Sequence, residues 1–206
     1  MALFSSSQNN PYLSDPDVLL MLEFQKGDKA AFEKLMEKYY KRVFNLVFRF
    51  LGNRETADDL AQEVFIKVYK AAPAYKPQAK FQTWLYQITK NVSLNELRRH
   101  KGQTVSLDET FNTEEGEMTR QVADVHAVNP LESLQAEDIA AKVKEAIEAL
   151  PDNQRMAVLL RRYENLSYED IAKTMNCSLE AVKSLLSRAK ENLKDKLAHL
   201  GDLKNG

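Results

Sequence analysis

Cysteine and histidine are scarce in this chain, which contains one Cys and three His. Cys177 therefore cannot form an internal disulfide, and we expect it to be a small buried hydrophobic residue rather than a redox sensor. His100, His126 and His199 lie far apart in sequence and form no motif with metal-ligand spacing. The sequence predicts neither a metal site nor a cofactor.

Glycine and proline are also infrequent, with six of each in 206 residues, which argues against a turn-rich all-β fold. No apolar run approaches the roughly 18 residues that a membrane helix needs. The start MALFSSSQNN lacks the basic and then apolar order of a secretory signal. These absences predict an all-α protein that resides in the cytoplasm and is not itself a membrane protein.

The net charge of −1 conceals an uneven charge distribution. Between Thr104 and Asp138 there are nine acidic residues and the single base Arg120, a local charge of −8 that leaves +7 for the rest of the chain. Few periodic apolar residues occur between 102 and 129, so this segment is predicted to be a flexible acidic linker between two helical domains. It could be a solvated tether, or a polyanion that mimics nucleic acid in a basic channel of a partner.

Residues 58–101 carry the most informative pattern in the chain. The first predicted helix of this stretch turns Ala61, Val64, Phe65 and Val68 inward. Its polar face gathers four side chains suited to gripping a partner: Asp58, Asp59, Gln62 and Glu63.

The next predicted helix mixes aromatic rings with cations and an amide. Such a mixture suits single-stranded nucleic acid, since bases stack on rings and phosphates attract cations. The loop from 73 to 80 is constrained by two prolines and could form the wall of a pocket for an unstacked base. Taken alone, Trp84 is better explained as a core residue. The nucleic-acid candidates are Tyr75, Lys80, Phe81, Trp84, Lys90, Asn91, Arg98 and Arg99.

The flanking helices have clear start and stop signals. Residues 1–13 have no apolar period and are predicted to be a flexible tail. Asp15 before Pro16 predicts a helix start, and Asp28 predicts a second, long helix that ends at Gly52. The first domain is therefore predicted to span 14–101 and the second 130–200.

The second domain ends in a predicted helix-turn-helix. Ser167 caps a short helix with Asp170 three residues later, Asn176 and Cys177 form a tight turn, and Ser178 caps a longer basic helix. The outer positions of that last helix suit base edges and phosphates in a major groove: Lys183, Ser184, Ser187, Arg188, Lys190 and Lys194.

Together, the segments DDLAQEVFIKVYKA, FQTWLYQITKNVSLNELRR and LPDNQRMAVLLRRYENLSYEDIAKTMNCSLEAVKSLLSRAKENL resemble regions 2 and 4 of bacterial sigma factors of the extracytoplasmic-function, σE-like group. The resemblance implies a non-enzymatic subunit that binds core RNA polymerase, recognises the −35 and −10 promoter elements and helps to melt the −10 region. It also implies control by an anti-sigma factor, which in some relatives is anchored in a membrane.

The same resemblance assigns roles to residues. Asp58, Asp59, Gln62 and Glu63 fall where sigma factors contact the β′ coiled coil of polymerase. The loop from Tyr75 to Phe81, with Trp84 and Asn91, falls where the −10 element is opened and a flipped base is held. The acidic linker resembles the segment that passes toward the RNA exit path. Residues that recognise the −35 element are implied at Arg162, Lys183, Ser184, Ser187 and Arg188.

Two other functions are compatible with parts of the pattern. A conventional helix-turn-helix regulator of the LuxR type would explain the second half, but it leaves Trp84 and its basic helix without a role. An all-helical hydrolase could place a metal ion at Asp58, Asp59 and Glu63, although no second acidic or His cluster completes such a site.

Overall fold

The computed structural model describes residues 10–104 and 130–198, and within these ranges every regular element is helical. The first four α-helices are α1 (Pro16–Gln25), α2 (Lys29–Leu51), α3 (Arg54–Ala71) and α4 (Phe81–Thr104). The last four are α5 (Pro130–Glu148), α6 (Asp152–Arg162), α7 (Tyr168–Met175) and α8 (Leu179–Leu197). This arrangement confirms the all-α prediction. The acidic residues 105–129 and the ends 1–9 and 199–206 lie outside the described residues.

The predicted helix boundaries of the first half are confirmed at several caps. Asp15 Oδ1 accepts a hydrogen bond from Asp17 N at 3.0 Å, and Asp28 Oδ1 accepts one from Ala30 N at 2.9 Å. Gly52 ends α2 with φ of 81°, a left-handed conformation that glycine adopts without a Cβ penalty.

Two helical elements extend beyond the helical limits predicted for the first domain. Residues 10–13 were assigned to a flexible tail, but Pro11–Ser14 form a 3₁₀ turn. Asn10 stabilises this turn, because its Oδ1 accepts from Tyr12 N at 2.9 Å while its Nδ2 donates to Pro77 O at 2.8 Å. At the other end of the domain, α4 continues to Thr104, three residues beyond the predicted boundary at 101.

The core is centred on α2, which packs against the other three helices of the first half. Its inward side chains are fully or almost fully buried: Leu35, Tyr39, Val43, Leu46, Val47 and Phe50. Burial, followed by the 2.6 Å hydrogen bond to the Asp17 carboxylate, raises the pKa of Tyr39 well above its ordinary value. Tyr39 therefore remains a neutral donor that ties α2 to α1.

The second half packs directly on the first. Met156, Leu159, Leu160, Ile171 and Val182 belong to the same buried apolar cluster as the α2 and α4 side chains. Polar contacts reinforce this packing, since Arg155 Nη1 donates to Phe50 O at 2.9 Å. The helix-turn-helix of α7 and α8 is therefore held against the first helical domain.

Candidate functional site

The predicted polar face of α3 is present and accessible. Asp58, Asp59 and Gln62 are exposed, and Glu63 is half-buried. Gln62 Nε2 donates to Asp58 Oδ2 at 3.0 Å, and Tyr40 Oη donates to Asp58 Oδ1 at 3.0 Å. These bonds hold the amide and carboxylate together as one preorganised polar surface.

An apolar groove of about 300 Å³ adjoins this face and was not predicted from the sequence. Ile66 and Tyr69 on α3 are each 52% exposed, and Tyr69 contacts the ring of Phe32 with centroids 5.5 Å apart. Ile66 and Tyr69 follow Gln62 by four and seven residues, so they lie on the same face of α3. That spacing is the sequence signal from which the groove could have been predicted. The groove is lined by Phe32, Met36, Tyr40, Gln62, Phe65, Ile66, Tyr69 and Lys70.

A second, larger cleft of about 630 Å³ lies where the loop after α3 meets α4. Trp84 stands half-buried at this cleft, with its ring 4.8 Å from Tyr75 and 5.9 Å from Phe81 between centroids. The cleft is polar as well as aromatic because Lys76, Gln78 and Gln87 also line it. A flat ring with hydrogen-bonding neighbours is suited to holding an unstacked base.

Tyr75 and Phe81 support Trp84 from inside the domain. Phe81 has no exposed surface and Tyr75 is 6% exposed, so the predicted direct contact between Phe81 and nucleic acid is not available in this structure. Phe81 is buried because it is the first residue of α4 and points at the ring of Tyr39, 5.4 Å away. Burial, and to a smaller extent Asp15, raises the pKa of Tyr75 to about 12.

The predicted polar contacts to nucleic acid on α4, together with Lys80 just before it, differ in their exposure. Asn91, Arg98 and Arg99 are exposed, although Arg99 forms an ion pair with Glu96 on the same helix. Lys90 is only 8% exposed, and burial lowers its pKa. Lys80 is exposed but forms an ion pair with a carboxylate of the second half.

The helix-turn-helix has the predicted caps. Asp170 N donates to Ser167 Oγ at 3.0 Å, Asn176 occupies the left-handed region with φ of 54°, and Ala181 N donates to Ser178 Oγ at 3.1 Å. Val182 and Ala189 are fully buried on the inner face of α8. All the side chains predicted to contact the −35 element are exposed: Arg162, Lys183, Ser184, Ser187, Arg188 and Lys190.

Comparison with known families matches both halves of the chain. Residues 35–103 match the model of Sigma-70 region 2, and residues 140–193 match that of Sigma-70 region 4. The chain is 36% identical to the RNA polymerase sigma-H factor of Pseudomonas aeruginosa over 86% of its own length and 91% of that protein. It is 35% identical to the ECF RNA polymerase sigma-E factor of Escherichia coli K12, covering 89% and 95% of the two chains.

The chain belongs to the extracytoplasmic-function sigma factors of the sigma-70 family. Two solved structures share the fold of this sigma factor. CnrH in complex with the cytosolic domain of CnrY has a TM-score of 0.66 at 19% identity and covers 90% of this chain and 99% of CnrH. RpoE in complex with the anti-sigma factor NepR from Bartonella quintana has a TM-score of 0.64 at 20% identity, with coverages of 81% and 96%.

Family membership of both halves excludes the LuxR-type regulator, whose pattern accounts for the second half alone. Nor does the structure support the metal hydrolase. Among residues 10–104 and 130–198, no group of three or more His, Cys, Asp or Glu side chains could hold a metal ion, so Asp58, Asp59 and Glu63 do not form such a site. In the same part of the chain, no helix of the sigma factor has the length and apolarity to cross a bilayer.

Proposed function

We propose that this sigma factor acts without catalysis of its own, as a cytoplasmic specificity subunit that binds core RNA polymerase and directs it to promoters. The observation that carries the proposal is the presence of three accessible surfaces in one chain: the α3 face, the aromatic cleft at Trp84 and the basic face of α8. We divide the chain accordingly into a region 2 domain (14–101), the acidic linker (102–129) and a region 4 domain (130–200).

Core polymerase binds through α3. Asp58, Asp59, Gln62 and Glu63 supply the polar contacts to the β′ coiled coil, and the neighbouring groove accepts apolar side chains of the same partner. Two half-exposed apolar side chains, Ile66 and Tyr69, support this extension of the surface. An interface of this type combines a desolvated apolar centre with a polar rim.

Recognition of the −10 element uses the cleft and the exposed polar side chains of α4. A base of the non-template strand stacks on Trp84, while Asn91, Arg98 and Arg99 contact the strand beside it. Tyr75 and Phe81 hold the indole in place from inside the domain. Captured bases cannot re-pair, so binding in this cleft favours the melted state of the duplex.

Recognition of the −35 element uses α8 in a major groove. Arg188, Lys183 and Lys190 supply cations, and Ser184 and Ser187 supply hydroxyls that hydrogen-bond to base edges or phosphates. Arg162 at the end of α6 adds a phosphate contact. Tight binding needs polymerase as well. The net charge of the chain is −1, so the chain by itself has no excess of positive charge to neutralise DNA phosphates.

An anti-sigma factor controls this activity in our proposal. The support comes from a fold neighbour, RpoE, which was solved in complex with the anti-sigma factor NepR. The regulator of this chain could be a soluble or a membrane-anchored protein.

The deciding experiment mixes the purified chain with core polymerase and looks for a complex by native gel and for discrete transcription starts on a fragment library. Asp59→Lys should weaken the complex, whereas Glu37→Lys makes the same charge change on the exposed side of α2 and should not. Duplex binding by the chain alone, with no polymerase complex, would contradict the proposal.

A further inference from the structure

The loop that joins α3 to α4 (residues 72–80, the cleft loop) forms one wall of the aromatic cleft and has few hydrogen bonds of its own. Pro73 and Pro77 carry no backbone N–H, so neither residue can donate to a neighbouring carbonyl. Inside the loop, Tyr75 N donates to Ala72 O at 3.1 Å. The shape of the cleft loop therefore depends on partners from elsewhere in the chain.

Gln25, the last residue of α1, supplies hydrogen-bond donors to the first part of this loop. Its Nε2 lies 2.8 Å from Ala72 O, 3.1 Å from Tyr75 O and 3.2 Å from Pro73 O. An amide nitrogen carries two hydrogens, so this side chain can bond two of the carbonyls at a time. Ala72 follows the last residue of α3, where carbonyl groups lack partners in the helix. Gln25 therefore acts as a cap that comes from a different helix.

Two more side chains of the N-terminal segment (residues 10–25) hold the rest of the loop. Asn10 Nδ2 donates to Pro77 O at 2.8 Å, while its Oδ1 caps the 3₁₀ turn. Asp15 Oδ2 accepts from Phe81 N at 3.1 Å, at the first residue of α4, and its Oδ1 caps α1. The N-terminal segment thus binds the cleft loop at its start, in its middle and where it enters α4.

These bonds fix the position of Tyr75, and Tyr75 in turn supports Trp84. Tyr75 is 6% exposed, and its hydroxyl has no hydrogen-bond partner among the described residues. The ring is therefore located by packing and by the loop backbone, whose Tyr75 carbonyl accepts from Gln25. The Trp84 ring meets the Tyr75 ring edge-on, with centroids 4.8 Å apart. A displaced loop would move the wall against which the indole stands.

We infer that Gln25, Asn10 and Asp15 are positioning residues for −10 recognition. They hold the cleft loop in the shape in which Tyr75 and Trp84 receive an unstacked base, and they act through the loop without contacting the nucleic acid. This role rests on the proposed function, namely −10 recognition at the cleft. The physical reason is preorganisation, because a loop that is already ordered loses less conformational freedom when it binds.

Two variants remove donors and leave the remaining contacts in place. Gln25→Met has a side chain of similar length without a donor, at an exposed position. Asn10→Asp keeps the oxygen that caps the 3₁₀ turn but loses the donor to the loop. The control is Lys26→Met, which places the same side chain at the next exposed position and changes the charge as Asn10→Asp does. Asp15 is left unchanged because it also caps α1.

Trp84 is the only tryptophan of the chain, so its fluorescence reports on the cleft. Both variants should shift the emission to longer wavelength and raise the acrylamide quenching constant about twofold relative to Lys26→Met, because a loosened loop exposes the indole to water. Helix content by circular dichroism should not change. Emission and quenching equal to those of the control would overturn the inference.

Holoenzyme assembled with each variant tests whether the loop matters for melting. The template is a promoter fragment recovered from the fragment library, and permanganate reactivity of its −10 region measures the melted state. Gln25→Met should lower the equilibrium constant for melting about fivefold to tenfold, the effect of losing a hydrogen bond worth about 1–1.4 kcal/mol, and should leave closed-complex formation unchanged. Altered Trp84 fluorescence with normal melting would also overturn the inference, since the contacts would then serve the fold alone.

The two levels of the proposal fail in different ways. If the unmodified chain forms no complex with core polymerase, the proposed function is contradicted. If that complex forms and gives discrete starts, but the variants match Lys26→Met in fluorescence or in melting, only the positioning role is contradicted.

Discussion

Phe81 and Trp84 lie three residues apart at the start of α4 but have different surroundings. Phe81 has no exposed surface and packs near Tyr39, whereas Trp84 is half-buried at the cleft. Side chains three apart share a helix face, so the difference arises from depth along that face. Phe81 stabilises the domain, and Trp84 remains available to a ligand.

Replacing Phe81 by Ala should therefore lower the free energy of unfolding by about 3–5 kcal/mol, because it opens a cavity in a closed core. Trp84→Ala should cost less, about 1–2 kcal/mol, and should impair promoter melting while sparing the closed complex. Urea unfolding and permanganate footprinting of the −10 region measure the two effects. Equal stability losses with normal melting in Trp84→Ala would contradict the assignment.

Arg188 provides the complementary residue-scale prediction. It is exposed on α8 with no role in the core, so Arg188→Ala should leave stability unchanged and weaken −35 recognition by about 1–3 kcal/mol. The measurement is holoenzyme binding to promoter fragments with intact and scrambled −35 elements. If Arg188→Ala instead impaired melting in a preformed closed complex, its assignment to −35 recognition would be contradicted.

At the scale of elements, α7 and α8 are positioned by capping. Ser178 ends the turn and begins α8, and its Oγ accepts from Ala181 N at 3.1 Å. The left-handed Asn176 before it reverses the chain, a conformation that Asn tolerates better than most residues. The start of α8 is therefore set by two local features rather than by its charged face.

Ser178→Ala should lower the free energy of unfolding of the second half by about 1 kcal/mol. Ser184→Ala in the body of α8 is the matched control and should have an effect near zero, since Ala is the better helix former there. Thermal melts followed by circular dichroism compare the two. A larger loss in Ser184→Ala would show that the cap is not what holds α8.

At the scale of the whole molecule, the interface between the halves depends on charge. Burial raises the pKa of Asp170, but hydrogen bonds from Lys80 and Ser167 outweigh burial and leave it below its ordinary value of 3.8. The hydrogen bond with Asp170 in turn raises the pKa of Lys80 above 10.5. A carboxyl group whose pKa is lowered by folding stabilises the fold at any pH above its ordinary pKa. That stabilisation is lost as the pH falls through the lowered pKa of the folded state.

Asp170→Asn should therefore lower the free energy of unfolding by about 1–2 kcal/mol at neutral pH. The loss is no larger because Lys80 is partly exposed and solvent screens its charge. It should stay constant from about pH 5 to pH 10 and shrink below about pH 4. Urea unfolding at a series of pH values measures it. A difference that grows on acidification would contradict the ion pair.

Much of the fold could be predicted from the chain alone because its signals are local. Asp15, Asp28, Gly52, Ser167 and Ser178 mark helix ends through contacts within a few residues, and the structure confirms each of them. Residues 10–13 were missed because Asn10 is held by Pro77, a contact 67 residues away. The acidic segment 105–129 lies outside the described residues, and both predictions for it stay untested.

The sequence by itself determined the helices, the polar face of α3 and the exposed basic face of α8, since periodicity and capping act over one or two turns. Only the tertiary structure decided which candidate side chains remain accessible. It buried Phe81 and Lys90, formed the apolar groove at Ile66 and Tyr69, and joined Lys80 to Asp170. Those outcomes depend on how helices distant in sequence pack, and residue spacing along one helix carries no information about that packing.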